Sequence, residues 1–498
     1  MGIFLTEEDL RRLRPAERQR FHSPIPTHSV SNGEFTPIPQ TENQKQFEAR
    51  LKDLAGGLAR KQGMSRRRFL STSAGMAAAF VAMNETFGPV FSVDPAEAAE
   101  PEMANERAER LSAQYIFDDQ VHFLRDDTEL MGMLRLRQYA AENLNPALTD
   151  EPEIADLKFE NFVKEVYLDS DTDVTLLSGA PSDSDDFRFW HLSNDDLAAA
   201  RARVNGLAGS QRMLAHTLIT PGRDGWLEEI DRAIEELHPD SWKGYTTGDP
   251  SGPSKHMWRL DDEKLVYPAY EKMVKAGINK VCIHKGLLPE NAEERMPGVT
   301  AHANVDDLGK AARDWPQLTF IIYHSAYRPT PAPTAERERI FEETGRIDWV
   351  NDLATIPERY GVDNVYADLG ACFAYSCVTN PRYCAGLLGT LIKGLGHEHV
   401  LWGTDSVWYG SPQWQIEAMR RIEIPEDLQK KFGYAPLGPA DGMIKSAIFG
   451  YNGARLYNLP VKAADAGRPD KLSALKERYR AAGGERSNMA YGYVARSA

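Results

Sequence analysis

Four short apolar runs in this sequence each end on a side chain that can bind a metal or move a proton. They are Asp118-Asp119-Gln120-Val121-His122, Val281-Cys282-Ile283-His284-Lys285-Gly286, Phe320-Ile321-Ile322-Tyr323-His324-Ser325 and Leu401-Trp402-Gly403-Thr404-Asp405-Ser406. Residues two apart on a strand project to the same side, so Gln120 and His122 can converge on one point. Neutral imidazoles and a carboxylate together suit one divalent cation, zinc ranked ahead of manganese or iron, with a position left open for water. Such an ion brings the pKa of bound water toward neutrality, and an imidazole with an ordinary pKa of about 6.5 can shuttle the proton. A single histidine beside an apolar strand is ordinarily a hydrogen-bonded structural residue. The shared strand-end position singles out three of the 12 histidines, and His22, His28, His191, His216, His238, His256, His302, His397 and His399 are read as structural.

The elements that must position these residues are short apolar strands alternating with amphipathic helices. The spacing predicts strands over 115–121, 173–177, 212–219, 242–246, 280–284, 319–324, 365–369 and 400–403, with helices such as 225–237, 265–276 and 305–315 between them. Eight strands alternating with helices predict an α/β fold, a parallel (β/α)8 TIM barrel over residues 110–458, with an open doubly wound sheet as the alternative. In such a barrel the chemistry sits at the C-terminal strand ends, where all four motifs fall. No G-x-G-x-x-G or G-x-x-x-x-G-K-[ST] follows any strand, which removes the usual phosphate-cradling signatures.

The 498 residues are 42% hydrophobic and 26% charged, an ordinary globular composition. The formal charge of -15 offers no positive field for a phosphate backbone, so the expected partner is a small molecule rather than nucleic acid. Residues 1–64 read as a polar, flexible arm with one periodic stretch, Phe47, Leu51, Leu54 and Leu58 on one helix face. Residues 65–98 resemble a twin-arginine export signal: Ser65-Arg66-Arg67-Arg68-Phe69-Leu70, a mild apolar run to Met83, and Ala96-Glu97-Ala98 as a site that would be cut after Ala98. That reading makes the twin-arginine machinery a partner and the protein exported or periplasmic. The alternative is a cytoplasmic chain with a basic turn before an Ala-rich surface helix. The apolar run is shorter than the roughly 18 residues a membrane span needs, so no stable span is expected. Residues 459–498 read as a polar tail with a helix around 471–480. The four cysteines are too few for a disulfide framework, although one bridge among Cys372, Cys377 and Cys384 is permitted in an exported protein.

The combined motifs resemble the amidohydrolase-related family, which includes metal-dependent hydrolases and decarboxylases of the aminocarboxymuconate-semialdehyde type on a distorted TIM barrel. The matching stretches are Asp118-x-Gln120-x-His122, Ile283-His284-Lys285-Gly286, Tyr323-His324, Gly403-Thr404-Asp405 and Asn452-Gly453-Ala454-Arg455-Leu456, covering about residues 115–458. The resemblance implies that His122, His284 and Asp405 bind the metal, that His324 is a general acid/base, and that Asp405 also accepts a proton. It also implies a homodimer, as barrels of this family commonly pair. Gln120 departs from the family, standing where the hydrolases have a first histidine. An amide oxygen is a weaker, harder ligand, so either the ion rests on three strong donors with Gln120 as a fourth, or the site prefers manganese or a similar oxygen-tolerant ion. The departure argues against a two-metal site, and Lys243 is read as a structural or substrate contact rather than a bridge. Arg328 is a candidate carboxylate anchor, with Lys285, Trp402 and Trp408 as further substrate-side candidates. The first reading is hydrolysis of a small ester, amide or lactone. Nonoxidative decarboxylation of an aromatic or unsaturated acid is the second, and a noncatalytic ligand-binding barrel the third.

Overall fold

A computed structural model describes residues 13–14, 23–27, 39–130, 155–329, 332–408, 410–461, 470–484 and 494–495. The apolar runs form eight parallel strands in sequential order: β1 Phe117–Val121, β2 Val174–Leu177, β3 Met213–Ile219, β4 Ser241–Tyr245, β5 Lys280–His284, β6 Thr319–Tyr323, β7 Val365–Asp368 and β8 Val400–Leu401. Each lies where the sequence places it, and the order is that of a (β/α)8 barrel. β8 returns to β1 just beyond its own end: Asp119 N–H donates to the Trp402 carbonyl at 2.9 Å and Asp405 N–H to the Gln120 carbonyl at 2.9 Å. A parallel bridge joins Val121 to Ser406. Between β1 and β2 the register shifts from Asp118 to Val121, so Asp119 and Gln120 sit on a bulge that re-aims the first strand's end.

Alternation along each strand sorts side chains into two cores. Val281, Ile283, Phe320 and Ile322 join the large core under the helices, whereas Cys282, Ile321, Tyr323, Tyr366 and Leu401 fill the barrel interior. The Asn452 to Leu456 motif acts locally. Asn452 Nδ2 donates to the carbonyls of His397 and Val400, and Arg455 to that of Glu398, fixing the entry to β8.

The helices used below are α1 Glu42–Lys61, α2 Ser73–Phe87, α3 Pro101–Leu111, α4 Asn194–Ala208, α5 Tyr267–Ala276, α6 Cys372–Thr379, α7 Pro381–Leu395, α8 Gln413–Arg421 and α9 Lys471–Ala481. α4 starts on a Ser193–Asp196 capping box and α5 ends at Gly277 in the left-handed region, the usual start and stop chemistry. No described helix is long and apolar enough to cross a membrane.

The N-terminal region is more ordered than the expected flexible arm. Residues 42–61 form a capped helix burying Phe47, Leu51, Ala55 and Leu58, and the Ala-rich run forms α2, buried on nearly every side. The periodic apolar face of α1 packs on α2, with Phe47 6.5 Å from Phe87, and Gln44 ties the helix to the barrel at the Val378 carbonyl. The rest of the arm, residues 1–12, 15–22 and 28–38, lies outside the described residues, as do 462–469, 485–493 and 496–498 of the tail. The expected tail helix is α9, where Asp470 caps Ser473 and pairs with Arg212. All four cysteines are free and buried, so the permitted disulfide is not formed.

Candidate active site

The strand ends bring Gln120, His122, His284, His324 and Asp405 together at one mouth of the barrel. His122 Nε2 lies 3.2 Å from Asp405 Oδ1. Gln120 Nε2 lies 3.4 Å from His122 Nε2, 3.3 Å from His324 Nε2 and 3.0 Å from Asp405 Oδ1. His284 joins through His324, its Nδ1 being 3.0 Å from His324 Nε2, and its ring stacks on Tyr245 at 4.6 Å. Burial pulls the His122 imidazole down to about 3 and His324 to about 4, and holds His284 well below the ordinary range. All three are therefore neutral, with lone pairs free to accept a proton or bind a cation. Burial also raises the Asp405 carboxyl, while His324 and Lys243 act in the opposite direction.

Whether this donor set suits the ion that the sequence resemblance implies can be judged from its shape. Among the described residues, no three His, Cys, Asp or Glu side chains gather tightly enough to hold an ion by themselves. Gln120 supplies the missing corner. It forms with His122 and Asp405 a triangle whose edges are 3.0, 3.2 and 3.4 Å. Bonds of about 2.1 Å give donor–donor edges of about 3.0 to 3.4 Å in octahedral and tetrahedral shells, so this face would fit a divalent cation with the Gln120 amide oxygen in the place its nitrogen holds. The Gln120 amide presents its nitrogen to Asp405, and its Oε1 is buried without a hydrogen-bond partner. Turning that oxygen inward would make it a ligand. Gly370 leaves room for it, since a Cβ there would lie 2.0 Å from Oε1.

The surrounding residues fix this geometry. Asp118 is the stitch between the first and eighth strand ends: its carboxylate accepts from Thr404 N–H at 2.9 Å and from the Thr404 hydroxyl. Burial raises the Asp118 carboxyl to about 8. His324, Ser325, Ala326 and Asp405 all have φ between 51 and 61°. Non-glycine residues in this region cost of order 1 kcal/mol each and persist only where neighbours over-determine them. Asp368, at the end of β7, does that for His324, accepting from the N–H of His324 at 3.0 Å and of Gly370 at 3.0 Å. The Gly370 carbonyl lies 3.2 Å from His324 Nδ1, which places the proton on Nδ1 and leaves Nε2 as the acceptor facing the mouth. Gly286, at φ 83°, lets the β5 end approach this bend, because a Cβ would stand 2.6 Å from the Ala326 carbonyl carbon.

Beneath the mouth, Lys243 is fully buried, its Nζ unpartnered and 3.4 Å from the centre of the Tyr323 ring. Burial lowers its ammonium, opposed by the charges of Cys282, Asp368, Asp405 and Asp119. Burial and then Asp368 raise the Asp119 carboxyl well above the ordinary range.

Several expected substrate contacts lie elsewhere. Lys285 is fully buried in an ion pair with Asp307 at 2.9 Å, on the opposite side of β5 from His284, so it is structural. Trp402 packs between Phe373 and Phe449 in the helix-side core and does not wall the mouth. Arg328 is half-buried, 3.9 Å from Asp348 and over the Trp349 ring of the segment after the next helix, and its Nε is buried without a hydrogen-bond partner. Trp408 does reach the site, stacking on His122 at 5.6 Å and 22°. His191, which the sequence assigns to a structural role, stands with its ring edge-on to both His122 and Trp408. Neither its loop position nor its spacing distinguishes it in the sequence.

The sequence profile of the amidohydrolase family matches residues 165–459. This chain belongs to the amidohydrolase family. The matched segment includes His284, His324 and Asp405 but begins after β1, so Gln120 and His122 precede it. No curated protein matches the chain. Solved structures similar to it include an uncharacterised TIM-barrel protein from Bordetella bronchiseptica, at 16% identity over 71% of this chain and 100% of that one, with a TM-score of 0.42. A dihydroxybenzoic acid decarboxylase from Polaromonas, solved with manganese and 2-nitroresorcinol, is 14% identical over 71% and 99%, with a TM-score of 0.42. A putative 2-pyrone-4,6-dicarboxylic acid hydrolase from Pseudomonas putida is 13% identical over 70% and 99%, with a TM-score of 0.39.

Proposed function

We propose that this amidohydrolase is a metal-dependent hydrolase of a small ester, amide or lactone. The observation that carries the reading is the buried triangle of Gln120, His122 and Asp405, with His324 Nε2 beside it, at the C-terminal mouth of the barrel. His122, Asp405 and, through its amide oxygen, Gln120 would hold the divalent ion, with His284 as a further candidate ligand beside them. When bound, the ion polarises the scissile carbonyl and acidifies a water molecule.

The chain's own groups do the rest. Asp405 is a carboxylate with one oxygen directed at the triangle, placed to take a proton from attacking water. Its proximity to His122 and Gln120 holds that oxygen in one orientation. His324, with its proton fixed on Nδ1, offers Nε2 to receive the proton and return it to the leaving group. Trp408 stacks on His122 and fixes the plane of its ring at the mouth. Decarboxylation would call for a free cationic anchor for the substrate carboxylate. Arg328 lies 3.9 Å from Asp348, which Arg337 already pairs, and its Nε is buried without a partner, so decarboxylation keeps a candidate anchor and stands as the second reading.

The test is a panel of small esters, amides and lactones offered to purified protein with zinc or manganese in heavy-oxygen water. Incorporation of the label into a new carboxylate supports hydrolysis. Release of carbon dioxide from an unsaturated or aromatic acid, with no label in the product, would overturn it.

A further inference from the structure

The segment that reads as an export signal is built into the barrel. Ser65 caps the short turn Arg66–Phe69, leaving Arg66, Arg67 and Arg68 exposed while Phe69 and Leu70 are buried. α2 follows, with Ala77, Ala78, Ala79, Phe80, Ala82 and Met83 at most 1% exposed. A helix apolar on all sides must be covered on all sides, and the barrel's outer layer contributes to that cover. Phe80 packs on Phe91 at 4.9 Å and carries the Arg421 guanidinium over its ring.

Beyond α2 the chain is tied to the helix that follows β8. Phe91 bridges Ile422 antiparallel, Ser92 N–H donates to the Arg421 carbonyl at 2.7 Å, and Glu423 N–H to the Val90 carbonyl at 2.8 Å. Glu97 accepts two bonds from Arg421, at 2.7 and 2.9 Å, and Arg107 of α3 pairs with Glu417 at 2.7 Å. On the other side, the buried Gln44 of α1 donates to the Val378 carbonyl at the end of α6. The two barrel helices gripped in this way, α6 and α8, follow the strand ends that carry Gly370 and Asp405.

We propose that residues 42–111 are a permanent clasp on this half of the barrel, and that the folded chain is not cut after Ala98. Ala98 is 1% exposed inside the helical turn Pro95–Ala99, and its carbonyl lies 3.4 Å from Gln62 Nε2 of the segment a cut would release. Proteolysis takes place on exposed or transiently unfolded segments. Ala99 and Glu100 are exposed, but Glu97 and Ala98 before the bond are buried and held by Arg421 and Gln62, so the bond cannot be drawn into a protease as an extended strand without unpacking the clasp. An exported chain would travel with the clasp in place.

The test uses the full chain with a C-terminal tag, in a Gram-negative host shown in the same culture to process a twin-arginine reporter. Intact-mass measurement of tagged protein from every compartment is expected to show chains that retain the clasp, and a species starting at Ala99 would overturn the proposal. A chain made to start at Ala99 is expected to lose its cooperative melting transition, whereas one that melts like the full chain would also overturn it.

Discussion

Glu417 offers a quantitative handle on how the clasp is held. Its side chain, 8% exposed, meets Arg107 at 2.7 Å, Arg420 at 2.8 Å and Arg421 at 3.4 Å. Burial pushes its carboxyl up, but Arg420, Arg107 and Arg421 outweigh that and hold it at about 2 instead of 4.5. That gap corresponds to about 3 kcal/mol of folded-state stability at neutral pH. It is an upper bound, because burial holds the Arg107 guanidinium below its ordinary range despite the pairing, so part of the attraction offsets desolvation. Since the folded pKa is depressed, the contribution is complete above pH 4.5 and is lost as pH falls toward 2. Glu417→Gln is therefore expected to be destabilised by up to about 3 kcal/mol at pH 7, lowering the melting midpoint by about 3 °C. Thermal unfolding followed by circular dichroism should show the gap between wild type and variant closing as the pH is lowered toward 2.5. A variant as stable as wild type at pH 7, or a gap that persists unchanged in acid, would refute the reasoning.

Gly370→Ala drives a Cβ into the Gln120 amide and is expected to weaken divalent-ion binding, measured by calorimetry, while the far-ultraviolet spectrum stays that of wild type. His324→Asn is expected to lower turnover by about 10²- to 10⁴-fold without loss of bound metal, as read by parallel rate and elemental measurements. Asp368→Ala strips the acceptor from His324 and Gly370 N–H and is expected to cost about 1 to 3 kcal/mol for each group left unsatisfied, whereas Asp368→Asn, which keeps an acceptor oxygen, should retain most of that stability in a melting experiment.

The barrel was legible because its strands are short apolar runs at regular intervals, and the strand ends were legible because each motif stops on a polar residue with a defined chemistry. Strand parity carries more information than motif adjacency. Lys285 is one step from His284 and Trp402 one step from Leu401, so alternation sends both to the helix layer, where Asp307 and Phe373 receive them. The role of Asp368 was hidden because a carboxylate closing an apolar strand shows its partners only once the left-handed turn at His324 exists. The packing of the Ala-rich run was hidden for a related reason. A helix apolar on all faces has the same composition whether it serves as an export signal or fills a core, and contacts such as Phe80 against Phe91 and Arg421 show that in the folded chain it is packed. Gln120 was visible as a departure, but its placement as the third corner beside His122 and Asp405 depends on the β1 bulge, which no residue pattern announces.

The measurement that tests the central claim most directly is elemental analysis of the purified full chain beside His122→Ala and Asp405→Asn. The account predicts a single divalent ion in the wild-type chain and its loss from both variants. Wild-type protein that holds no divalent ion, even after incubation with zinc or manganese, would contradict it.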